Sequence, residues 1–116
     1  MKALLTLSAA VLLFVSLSFA QGGKTYTGEI MDSACAVMGS HAAMTQKNPN
    51  MTAKDCTVAC VGHGAKYVLY DAATKTVYQL SDQTKPAQFA GAKVTVTGTL
   101  NDATKTITVA NIKAAA

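Results

Sequence analysis

Residues 93–100 (KVTVTGTL) and 106–113 (TITVANIK) alternate apolar β-branched residues with threonine, setting Val94/Val96 and Ile107/Val109 on one side. Period-two alternation belongs to a strand with one buried and one wet face, and no helix satisfies it. The same strand character recurs at 26–31 (YTGEIM), 66–70 (KYVLY) and 76–80 (TVYQL). Five short strands are therefore expected. Between the third and fourth, 81–91 (SDQTKPAQFAG) carries Pro86 near a helix start and Gly91 past its end, predicting a short helix near 84–90. Two connections, 71–77 (DAATKTV) and 102–107 (DATKTI), each open on an Asp whose carboxylate suits a hairpin turn.

Five strands with a helix between the third and fourth is the order of the OB-fold, a small partly open Greek-key barrel. Gly28 and Gly98 fall where strongly coiled barrel strands must bend. A β-sandwich competes, although it usually needs more strands. The expected class is mainly β: a five-stranded OB-fold-like barrel with a helical excursion after strand one.

The start of the chain has a different character. Lys2 precedes an apolar and small run over 3–17, and Ser18-Phe19-Ala20 supplies the small residues a signal peptidase reads. Residues 1–20 are thus an expected signal peptide, with cleavage before Gln21, and 21–116 form one domain. The run is short for a permanent span of ~20 apolar residues, and nothing after it is expected to cross a membrane. Gln21 stands where a lipoprotein carries Cys. The expected location is secreted, in a bacterial periplasm. The mature 96 residues hold nine lysines and six acids, a net charge of +3.

A chain of this size buries a modest core, and small exported domains often add a disulfide or a metal. All three cysteines (Cys35, Cys56 and Cys60) lie in the mature region, and an odd count leaves one thiol without an internal partner unless a metal or second chain takes it. They sit in an excursion, 32–64, that lacks period-two alternation (DSACAVMGSHAAMTQKNPNMTAKDCTVACVGHG). Its second half reads as a helix. Thr52 and Asp55 have capping-box spacing, and Gly62 follows Val61 as an expected C-terminal cap. Cys56 and Cys60, four apart, share a face of it.

Three chemistries fit. A disulfide from Cys35 to Cys56 or Cys60 would staple the excursion to strand one and contribute ~3 kcal/mol. Cys35, His41, Cys56 and Cys60 have the composition of a Cys3His tetrahedral zinc site, though the C-x5-H and C-x3-C spacings are not those of zinc ribbons. Met38 and Met44 flank His41 at three-residue spacing and would add soft ligands suited to Cu(I). Against all three, helix-face cysteines also serve as small buried hydrophobes and methionines as flexible core filler.

Other chemistries lack their residues. There is no C-x-x-C-H haem motif, no C-x-x-C dithiol, no elbow presenting Ser33 and no phosphate loop, and Glu29 is the only Glu. A nucleic-acid platform of Tyr67, Tyr70 and Tyr78 is disfavoured by the absence of Arg and by scattered lysines.

The segments Gly28-Glu-Ile-Met-Asp32-Ser33-Ala-Cys35, Asp55-Cys56-Thr57-Val-Ala-Cys60-Val61, Gly64-Ala65-Lys66-Tyr67-Val68-Leu69 and residues 89–100 carry a resemblance. Together they look like a family of small secreted bacterial proteins with a domain of unknown function. Members have Gly directly after the first Cys and a His a few residues on; here Ala36 takes that place and His41 follows Cys35 by six. The resemblance implies no activity. The architecture is also similar to that of small periplasmic copper chaperones that use His and Met, whose site includes a Trp this chain lacks.

The leading expectation is a non-enzymatic secreted protein holding Zn or Cu(I) in the Cys/His cluster. The alternative is a disulfide-stapled module binding a peptide, glycan or envelope partner or a small ligand. A thiol redox role is a third.

Overall fold

Nine regular elements run through the computed structural model, which describes residues 23–115. The expected signal peptide and its cleavage point lie outside the described residues. The strands are β1 (Lys24–Asp32), β2 (Tyr67–Asp71), β3 (Thr76–Leu80), β4 (Lys93–Asn101) and β5 (Thr106–Ala114). They form one sheet in the order β1-β2-β3-β5-β4, which closes into a ring through β1 and β4. Every pairing is antiparallel except the short parallel contact of β3 with β5. Three helices, α1 (Ser33–Met38), α2 (Ala42–Thr45) and α3 (Ala53–Gly62), fill the connection from β1 to β2. A 3₁₀ helix at Lys85–Phe89, opened by Pro86, occupies the connection from β3 to β4.

Ring closure depends on β1 changing partners. Its first part pairs with β4 as far as Glu29, and from Glu29 onward it pairs with β2. Gly28 stands at that corner, where a Cβ would lie 2.3 Å from the Tyr70 carbonyl oxygen. Gly98 marks the register slip between β4 and β5, and its Cβ would lie 2.2 Å from the Thr108 carbonyl oxygen. Both positions need glycine for close backbone approach, as strand bends and bulges do.

The two hairpin turns are built alike, with one correction to the reading of their sequence. Asp71 Oδ1 accepts the Ala73 N–H at 2.9 Å, as expected. In the second turn the equivalent acceptor is Asn101, one residue before Asp102, whose Oδ1 accepts the Ala103 N–H at 2.9 Å. Each turn then places a lysine in the left-handed region, Lys75 at φ 56° and Lys105 at φ 54°. That conformation costs a residue with a Cβ ~1–2 kcal/mol, and glycine's greater backbone entropy offsets part of the saving. Lys75→Gly and Lys105→Gly should each stabilise the domain by ~0.5 kcal/mol, additively, in urea titrations. A loss of stability in both would show that neither turn is strained.

Two apolar clusters share strands β1 and β2. Inside the ring, Ile30, Leu69, Val94, Val96 and Ile107 are fully buried, and Tyr67 packs with them. On the outer face, Met31 and Val68 are buried beneath the helices with Cys35, Ala36 and Cys56. Neighbouring strand residues point to opposite faces, so β1 and β2 are apolar on both sides. This continuous burial hides the alternation in 67–69. Among the described residues, no helix is long and apolar enough to cross a membrane.

Candidate metal centre

α1 starts where β1 stops because Asp32 caps it. The Cys35 N–H donates to Asp32 Oδ2 at 2.8 Å, and Gly39, at φ 77°, ends the helix after six residues. The Ser33 N–H donates to the Lys66 carbonyl at 2.8 Å, tying this corner to the start of β2. Cys35 is thereby directed under the helical layer, where it is buried.

α3 brings in the second sulfur. Its capping box is present as read: Asp55 N–H donates to Thr52 Oγ1 at 3.0 Å, and Thr52 N–H donates to Asp55 Oδ2 at 3.1 Å. The hydrogen bonds from Thr52 hold the Asp55 carboxyl below its ordinary range. The C-terminal cap differs from the expectation. Gly62 is the last helical residue, His63 caps it, and Gly64 takes the positive φ of 110°.

Cys35 Sγ and Cys56 Sγ are 3.7 Å apart and not bonded. The disulfide of the alternative reading is therefore not formed: it requires ~2.05 Å between sulfurs, and all three cysteines are free. A separation near 3.7 Å instead matches two sulfurs held at ~2.3 Å and a tetrahedral angle around one ion. Burial, then the hydrogen bond with Cys56 and the charge of Asp32, push the Cys35 thiol up to about 12.

His41 joins them from the start of α2. Its Nε2 lies 2.6 Å from Glu29 Oε2 on β1. An ionised carboxylate only accepts, so Nε2 carries a proton here, and a ring with that one proton has a lone pair free on Nδ1. That Nδ1 is buried and has no hydrogen-bond partner. Asp32 Oδ1 is in the same condition. One ligand atom each from Asp32, Cys35, His41 and Cys56 can be chosen so that all lie within 4.8 Å of one another. This Cys/His/Asp group could hold a metal ion.

Comparison of the chain with protein-family models, with curated proteins and with solved structures finds no match. The arrangement must be read from its own chemistry.

Three of the four expected ligands are brought together, and Asp32 takes the place assigned to Cys60. Cys60 lies one turn beyond Cys56, half-buried against the cluster. Burial first, then the charges of Asp32 and Cys56, raise its thiol. Met38 points away, 58% exposed, whereas Met44 and Met51 pack on the cluster beside buried Met31. The tyrosine platform disfavoured by the sequence does not assemble: Tyr67 belongs to the ring interior and Tyr78 packs on Tyr26 with centroids 5.4 Å apart. Sequence reasoning missed Asp32 and Glu29 as site residues. The Asp-Ser-x-Cys spacing of a helix cap was the available signal for the first; nothing local marks the second.

Proposed function

We propose that this is an exported, non-enzymatic protein on an OB-fold barrel that holds one zinc ion between its sheet and its helical excursion. Strand order β1-β2-β3-β5-β4, ring closure through β1 and β4, and the short helix between β3 and β4 support the OB assignment. The metal reading is carried by one observation: two buried polar atoms without hydrogen-bond partners, Asp32 Oδ1 and His41 Nδ1, belong to the same four-residue group as two unbonded thiols. An unpartnered buried polar atom costs ~1–3 kcal/mol, and a metal ion would remove both penalties at once.

The donor set favours zinc. Sulfur, imidazole and carboxylate ligands in fourfold coordination suit a borderline-soft ion without geometric preference. Glu29 behind His41 supplies the carboxylate–histidine support that fixes tautomer and ring orientation at metal sites. With four protein ligands and no open position, the ion would be structural or carried, not catalytic. A second reading, Cu(I), has the thioethers of Met31, Met44 and Met51 around the sulfurs in its favour. The hard carboxylate of Asp32 counts against it.

Elemental analysis and native mass of protein purified from the periplasm test this directly. One zinc per chain and an N-terminus at Gln21 are expected. Cys35→Ser and Cys56→Ser should abolish zinc retention, and Glu29→Gln should weaken affinity ~10–100-fold. Stoichiometric copper instead of zinc would select the second reading. Protein that takes up neither metal under reducing conditions would refute both.

A further inference from the structure

The ligands of the proposed zinc site have almost no surface of their own. Cys56 and Asp32 are 0% exposed and Cys35 is 1% exposed. His41 reaches the edge of a cleft, but Glu29 occupies its outer nitrogen there. A metal arriving on another molecule needs a ligand that faces both solvent and the buried group. Cys60 has that position. It packs, partly buried, against the cluster that contains Cys35 and Cys56. It also lines an open groove of about 560 Å³ with Ser33, Val37 and His63. His63, at the end of α3, places an imidazole on the same groove three residues further along.

We propose that Cys60, with His63 lining the same groove, is a loading site that passes a thiophilic divalent ion between the groove and the buried ligands. The proposal rests on the zinc reading above. An ion delivered by a small thiol or aminocarboxylate complex first bonds to Cys60, whose thiol gives its proton to water as the carrier's bond breaks. The ion then bonds to Cys56, which loses its proton. The bond to Cys60 breaks and that sulfur takes a proton back. No electron is transferred. This role explains a third cysteine on the same helix face that the four-ligand group leaves over.

Zinc transfer from the loaded mature protein to 4-(2-pyridylazo)resorcinol, followed by stopped flow, tests it, with an equilibrium competition on the same samples. Cys60→Ser should keep one zinc per chain with affinity within about threefold of wild type, while transfer slows about tenfold or more. His63→Ala, at an exposed position, should slow transfer in the same direction and does not depend on the first variant folding. Wild-type transfer rates in both variants would overturn the proposal. So would loss of zinc from Cys60→Ser at equilibrium, which would make Cys60 a resident ligand. If wild-type protein itself holds no zinc, the underlying reading fails with it, and the wild-type sample reports that separately.

Discussion

Gly98→Ala should cost the domain ~3 kcal/mol or more. The added Cβ would sit 2.2 Å from the Thr108 carbonyl oxygen and 2.8 Å from Ile107 Cγ2. A rotamer change cannot relieve contact with a backbone oxygen, so β4 and β5 must separate where the register slips. That ladder holds the ring together on the side away from the helices. A domain of this length has ~5–14 kcal/mol in total, and each kcal/mol shifts its melting temperature by ~4–8 °C. A fall of at least ~12 °C in a thermal melt is therefore expected. Gly62→Ala provides the contrast. It lies in α3 with nothing within 4 Å of the new Cβ. Helix propensity alone should make it stabilising by ~0.5–1 kcal/mol. Equal behaviour of the two variants would show that close approach at Gly98 has no energetic weight.

On the zinc reading proposed above, removing the ion should lower the melting temperature by roughly 15–30 °C relative to protein at a free zinc concentration near 1,000 times Kd. Mass action gives ~4 kcal/mol under that condition if only the folded chain binds. Zinc uptake should also release protons, because Cys35 and Cys56 must bind as thiolates, so affinity rises with pH. Scanning calorimetry with and without a chelator measures the first effect. Titration calorimetry in buffers of different ionisation enthalpy measures the second. Coincident melts with and without the metal would leave the ligand group without a structural role.

Local signals made much of this fold legible. The alternation in 93–100, the Thr52/Asp55 box and the Pro86/Gly91 punctuation each need only neighbours in sequence, and each recurs in the structure. α1 escaped notice because six residues show no helical period, leaving only Asp32 and Gly39 to mark its ends. The ligand group was half legible. Cys56 and Cys60 were correctly placed on one helix face, but a face does not say where the helix meets the sheet. One turn of α3 advances ~5.4 Å, enough to put one sulfur under the layer and the next at its rim. Asp32 read only as the first residue of the excursion, because its second oxygen becomes informative only once buried without a partner. Glu29 and His41 lie twelve residues apart and meet only through the course of β1.

The sharing of β1 and β2 by two cores has a consequence for transplantation. The excursion 32–64 carries all four candidate ligands, yet it does not carry the site. Its floor is Met31 and Val68, its histidine is oriented by Glu29, and its first helix is pinned to the Lys66 carbonyl. Spliced into another scaffold as a loop, the segment would bring its donor atoms without the surface that sets their spacing. The portable unit is the excursion together with the outer faces of the two strands beneath it. Those strands keep their shape only while Ile30 and Leu69 are packed inside a closed ring. The smallest piece that can be moved is the whole domain.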